Sequence, residues 1–159
     1  MNKSAIIAAI IEELKIKAGH HLSAARAAHA EATHEESIAE DKYDTRGLEA
    51  GYLAVGQARM MDEAADAIRA YAMLFVKKFA AGDPVDLTAL VEFSVNKTSE
   101  IVFIGPAGGG IEVEVEGRTI MVITPESPLG RLLMGRKKGE RFTRKIGPFE
   151  DKCRIVSVS

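Results

Sequence analysis

What this sequence lacks narrows the field first. It has no tryptophan, only 6% aromatic residues and a single cysteine, Cys153. One thiol excludes an internal disulfide and any cysteine-based zinc finger. Flanked as Lys152-Cys153-Arg154-Ile155-Val156, it reads as a strand residue packed in a core. No apolar run approaches the roughly 20 residues that a membrane helix needs. The N-terminal run Ala5 to Ile11 follows Lys3 but is short, carries no cleavage site of small residues, and leads into Glu12-Glu13, so it does not read as a signal peptide. A cytoplasmic protein without membrane contact is expected. A formal net charge of −2 excludes bulk nucleic-acid binding.

From Asn2 to Glu36 there is no proline and one glycine, Gly19. Ile7, Ile11, Leu14, Ala18, Leu22, Ala25, Ala28 and Ala32 advance by threes and fours, the spacing of one helix face. A second stripe follows at Leu48, Tyr52, Val55, Ala58, Met61, Ala65, Ile68, Ala72, Phe75 and Phe79. Two long stripes rich in alanine bury each other best as an antiparallel coiled-coil hairpin, predicted over residues 1–81. The chain must reverse between residues 35 and 45, and about 30 helical residues make an arm of about 45 Å.

At Gly82-Asp83-Pro84 the character changes. Residues 82–86 read as a linker, and 87–159 as a small α+β domain. Its strands are predicted at Leu90 to Val95, Ile101 to Ile104, Ile111 to Val115, Thr119 to Ile123 and Arg154 to Val158. Pro128 to Met134 reads as a short helix, with Ser127 as its N-cap and Gly135 as its stop. The overall class is therefore α+β.

The stretch Val122-Ile123-Thr124-Pro125-Glu126-Ser127-Pro128-Leu129-Gly130-Arg131-Leu132-Leu133-Met134-Gly135 resembles the C-terminal signature of the Gre-type bacterial transcription elongation factors. Phe103-Ile104-Gly105-Pro106 resembles the family's apolar-Gly-Pro strand end, and Lys138-Gly139-Glu140 its Gly-acidic turn. The resemblance implies an FKBP-like C-terminal domain that docks on RNA polymerase at the secondary channel through Glu126, Ser127, Pro128 and Arg131. It further implies that acidic residues at the hairpin tip help the polymerase's second Mg²⁺ to cleave backtracked RNA. The protein itself would then be no enzyme and hold no cofactor or stably bound metal of its own. RNA and DNA would be met only within the elongation complex, and the free protein could form a homodimer.

At the tip, the family's Gly-Asp falls on Glu36-Ser37 and its Glu-Asn on Glu40-Asp41. Glu40 keeps the second acidic position, while Ser37 stands in the first. Asp41, Asp44 or Glu36 would have to supply that carboxylate. Read without the family, Ser37 and Glu40 form a capping-box spacing and Asp44 is a candidate cap for the second helix. With Glu31 and Glu35 against Lys42 alone, this is the most acidic part of the chain.

Three other features are bland by comparison. Arg131, Arg136, Lys137, Lys138, Arg141, Arg144 and Lys145, opposed mainly by Glu140, read as a solvated turn and strand edge in preference to a partner-binding patch. The glycine-rich run 105–110 lacks the Lys-Ser/Thr of a phosphate loop and reads as a hairpin loop. His20, His21, His29 and His34 have no zinc-ligand spacing. Two rivals to a cleavage factor remain. One is a Gre-like channel-binding regulator or inhibitor without cleavage stimulation. The other is an FKBP-like isomerase or chaperone, for which Phe93, Phe103, Phe142 and Phe149 are the only aromatics available in the domain.

Overall fold

The computed structural model describes residues 1–34, 45–96 and 98–159, with Arg46 described for its backbone alone. The chain is α+β: two long helices, α1 (Lys3–Ala32) and α2 (Arg46–Ala72), precede a six-stranded sheet. It divides into two compact units, Leu14–Ile68 and the combination of Met1–Glu13 with Arg69–Ser159.

In the first of these units the helices run antiparallel, with His21 Nδ1 2.8 Å from Gln57 Oε1. On α1 the buried side is the predicted stripe at all but Leu22, whereas on the first half of α2 it departs from the predicted one. Leu14, Ala28, Ala50, Ala64 and Ala67 are buried, whereas Leu48, Tyr52 and Val55 stand 59%, 70% and 70% exposed. The buried positions at Ala28, Ala50 and Ala64 are thus small side chains, and the larger Leu48, Tyr52 and Val55 face solvent. Spacing alone could not choose between the faces, because alanine and glycine recur on both. The polar His21–Gln57 contact pins the observed register, and Leu22 is turned outward at 36% exposure.

In the second unit the strands are β1 (Leu90–Val95), β2 (Thr98–Ile104), β3 (Glu112–Val115), β4 (Arg118–Ile123), β5 (Arg141–Ile146) and β6 (Phe149–Val158). Their order is β3-β4-β2-β1-β6-β5, with β2 and β4 parallel and every other pair antiparallel. Period-2 alternation sends Val91, Phe93 and Val95 to one face. There they join Val102, Ile104, Ile155, Phe142 and Leu133 of the short helix α3 (Pro128–Leu133) in one core. Phe93 and Phe142 meet edge to face with ring centroids 5.4 Å apart. Phe103, Ile120 and Val122, from the opposite alternation, are fully buried too, as are Ile6 and Ile10 of α1. Cys153 is buried and free, and burial raises its thiol pKa.

The α2 helix stops at Ala72, although the apolar spacing continues to Phe79. Tertiary bonds win over the helical ones here. Lys77 N donates to the Thr88 hydroxyl at 3.0 Å, and Lys77 O accepts from Lys3 Nζ at 3.0 Å. Phe79 packs against the sheet core under the Lys3 ammonium, 4.4 Å from its ring centroid. Val85, placed in the linker by composition, is 1% exposed and exchanges backbone bonds with Gly135 and Arg136.

The glycine-rich run also differs from expectation. It joins β2 to β3, which are not neighbours because β4 lies between them, so it is a crossover and not a hairpin loop. Tyr71 Oη donates to Ala107 O at 2.8 Å and lies across Gly105. A Cβ on Gly105 would fall 2.0 Å from that oxygen, which explains glycine there by close approach.

Candidate functional site

The segment from Thr124 to Arg131 is built by a small set of local bonds. The Ser127 hydroxyl donates to Thr124 O at 2.8 Å and accepts from Gly130 N at 3.0 Å. Ser127 is the N-cap of α3 in extended backbone geometry, and Pro128 fills the first turn, where its missing N–H costs nothing. Gly130 is dictated by contact, since a Cβ there would fall 1.9 Å from Thr124 O. Leu133, fully buried, anchors the helix to the sheet, and Gly135 N closes onto Val85 O at 2.8 Å.

This geometry sorts the four sequence-predicted docking residues into two roles. Glu126, Pro128 and Arg131 are exposed, whereas Ser127 is half-buried with its hydroxyl committed in both directions. Ser127 therefore shapes the loop, and the other three are available for contact. Between residues 126 and 131 the segment offers an anion, an apolar ring and a cation, on a backbone held by its own hydrogen bonds.

The basic stretch beyond α3 is more fully paired than its sequence suggests. Arg144 makes a two-pronged bridge to Glu100 at 2.7 and 2.8 Å and a third contact to Asp151 at 3.3 Å. Its guanidinium also lies 5.7 Å from the Phe93 ring centroid. The Glu100 carboxylate raises the pKa of Arg144, keeping it firmly charged. Arg136 caps the carbonyls of Leu132 and Arg141 and stands 3.7 Å from Glu140, and Lys145 meets Glu150 at 3.0 Å. The expectation that Glu140 is the main opposing charge is corrected by Glu100, Asp151 and Glu150. Those partners arrive from β2 and β6, which linear spacing does not place beside β5. Arg131, Lys137, Lys138 and Arg141 remain on the exposed side.

Sequence reasoning passed over a cleft of about 370 Å³ between β2 and β4. The two strands pair only over Val102–Ile104 and Met121–Ile123. Ser99, Glu100, Arg118 and Thr119 line the gap ahead of that pairing. Glu92 accepts from Arg118 at 2.7 Å and from Ser99 at 2.8 Å, and these bonds, Arg118's first, lower its carboxyl pKa.

The predicted tip residues Glu36, Glu40, Asp41 and Asp44, with Glu35 and Ser37, lie outside the described residues. At the borders, Glu31 and His34 are exposed, and Thr45 opens α2 by accepting from Glu49 N at 2.9 Å. Among the described residues no group of three His, Cys, Asp or Glu side chains converges to hold a metal ion. No helix among them is long and apolar enough to cross a membrane.

No protein-family model matches the chain, and no curated protein matches it. Solved structures do. The chain is similar to GreA factor homolog 1 (Gfh1) of Thermus thermophilus, at 21% identity over 94% of each chain with a TM-score of 0.40. Gfh1 of Thermus aquaticus is 19% identical over 94% of this chain and 90% of its own, with a TM-score of 0.39. The transcription elongation factor GreA/GreB of Nitrosomonas europaea is 21% identical over 60% of this chain and 78% of its own, with a TM-score of 0.38.

Proposed function

We propose that this protein is a Gre-type transcription elongation factor that docks on RNA polymerase at the secondary channel through the loop carrying Glu126, Pro128 and Arg131. The observation that carries this reading is the preformed loop itself. Its sequence is the one through which the chain resembles the family, and it holds those three side chains outward while Ser127 and Gly130 hold the backbone. A loop fixed before binding loses little entropy on docking.

In this reading the helix pair brings the acidic connection to the polymerase active site. There Glu40 and Asp41, with Asp44 and Glu36 as neighbours, add carboxylates beside the polymerase's weakly held second Mg²⁺. In a two-metal site that ion stabilises the attacking or leaving oxygen of phosphodiester cleavage. The chain's own part is to raise the occupancy of that ion and position water. The bond broken is in backtracked RNA, and the protein remains a stimulator and not an enzyme.

A second reading keeps the docking and removes the chemistry: a channel-occupying regulator of RNA polymerase. Ser37, at the position where the family carries aspartate, favours it. The isomerase reading loses its support, because Phe93 and Phe103 are fully buried and Phe142 is 5% exposed. Three of the domain's four phenylalanines are consumed by the core and cannot line an open peptide pocket.

The test is transcript cleavage by a deliberately backtracked complex of the cognate polymerase. Shortened RNA that appears with the protein and disappears with Glu40→Ala/Asp41→Ala supports the cleavage factor. Polymerase binding without stimulated cleavage establishes the regulator. Glu126→Ala/Pro128→Ala/Arg131→Ala is expected to weaken polymerase binding at least tenfold with the fold intact. Unchanged binding by that variant would remove the loop from the mechanism.

A further inference from the structure

The two open edges of the sheet carry opposite charges in matching registers. We infer that this face of the molecule is a self-association surface, on which β3 of one copy adds to β5 of a second copy. The argument starts from which backbone groups are free. Successive residues of a strand turn their N–H and C=O groups to alternate sides. Val122 N donates to Ile111 O, so on β3 the odd residues Val113 and Val115 bond inward to β4. Glu112 and Glu114 then turn their backbone groups outward. Ile155 N donates to Glu140 O, so on β5 the even residues bond to β6. Arg141, Thr143 and Lys145 face outward, with Arg141 O already accepting from Arg136 Nη1 at 3.2 Å.

The outward residues are also the charged and exposed ones. The β3 edge reads Glu112, Glu114 and, at the turn, Glu116, and the β5 edge reads Arg141, Thr143 and Lys145. Laid antiparallel, Glu112 comes opposite Lys145, Glu114 opposite Thr143, and Glu116 level with Arg141. Backbone bonding and charge pairing are satisfied in the same register. Pairing β3 with β3, or β5 with β5, would set like charges opposite each other and is disfavoured. The charges thus block symmetric edge pairing, the usual hazard of open edges, while permitting the head-to-tail kind. Lys145 must exchange its exposed partner Glu150 for Glu112, and exposed ion pairs of that sort are weak enough to exchange.

A head-to-tail contact leaves one edge free on each end, so association continues beyond a dimer or closes as a ring. Sedimentation of the full chain tests this. At low salt the weight-average mass should rise with concentration above the 17.2 kDa monomer, at least doubling. It should return to the monomer value near 1 M salt, where the screening length is about 3 Å. Glu112→Lys/Glu114→Lys and Arg141→Glu/Lys145→Glu should each stay monomeric, with folding checked by circular dichroism. An equimolar mixture of the two should associate again, since each variant's altered edge complements the other's. Thr143→Pro, which removes an outward N–H with no change of charge, should also abolish association. A wild-type chain that stays monomeric at low salt overturns the inference. So does association that survives both charge reversals, or a mixture that fails to associate when its components are folded.

Discussion

The close approach of Tyr71 to Gly105 gives a sharp test of the packing. Gly105→Ala would place a Cβ 2.0 Å from Tyr71 Oη, 3.1 Å from Tyr71 Cζ and 3.1 Å from Val122 Cγ1. Tyr71 is 2% exposed and Val122 fully buried, so neither has free space to retreat into. If the ring holds its place, overpacking costs about 1–3 kcal/mol. If the hydroxyl moves, its 2.8 Å bond to Ala107 O is lost, and an unpaired buried donor costs about 1–3 kcal/mol. Reduced freedom of the unfolded chain returns about 0.4–1 kcal/mol. The net expectation by either route is a loss of about 1–2 kcal/mol. With no tryptophan in the chain, far-UV circular dichroism in urea is the natural assay. Tyr71→Phe removes the atom at 2.0 Å and leaves only the two contacts at 3.1 Å. Alone it should cost about 1 kcal/mol for the lost hydrogen bond. In that background Gly105→Ala should cost at least about 1 kcal/mol less than in the wild type, a coupling of the size expected for touching residues. A wild-type loss below about 0.5 kcal/mol, within the range of ordinary surface changes, or an equal loss in both backgrounds, refutes the contact.

Three further outcomes are expected. Gly130→Ala drives a Cβ to within 1.9 Å of the Thr124 carbonyl, a backbone group that cannot swing away. It should lose the Ser127 cap, worth about 1 kcal/mol, and reduce polymerase binding by at least tenfold, with helix content retained. Lys3 is pushed down to about 8 by burial, against its carbonyl bond to Lys77 and its seat on Phe79, which favour the charge. Its folded pKa lies below its unfolded one, so between about pH 8 and 10.5 the unfolded chain holds the proton that the folded chain has shed. Stability should therefore rise with pH across that window and stay flat below it, relative to Lys3→Met. Parallel urea midpoints for the two proteins would contradict this. Arg144→Ala strands Glu100 and Asp151 and should cost about 2 kcal/mol. Lys145→Ala, whose bridge to Glu150 is exposed on both sides, should cost less than about 0.5 kcal/mol. Equal losses in urea melts would contradict the difference in burial.

The parts of this fold that were legible are those set by local chemistry. Alternation placed the strands near Leu90 and Thr119, and the continuous apolar run Ile101–Ile104, buried on both faces, placed the strand between them. Ser127, Pro128 and Gly135 announced α3 because caps act within a few residues of themselves. What escaped reading was set at a distance. On α2 the buried side follows Ala50 and Ala64 and not Tyr52 and Val55. That preference depends on the partner helix and leaves no mark in a single stripe. The α2 helix ends at Ala72 because Thr88 and Lys3 claim Lys77, and neither is near it in sequence. Strand β5 went unrecognised within a run dense in positive charge. Glu100 and Asp151 neutralise Arg144 from strands that linear reading cannot align. The segment from Thr124 to Arg131 stood out as a motif, but the different settings of its side chains did not. Only the double commitment of the Ser127 hydroxyl shows that Ser127 builds the loop while Glu126, Pro128 and Arg131 face outward. A motif names the residues that must occur together, and the hydrogen-bond ledger separates those that hold the loop from those it displays.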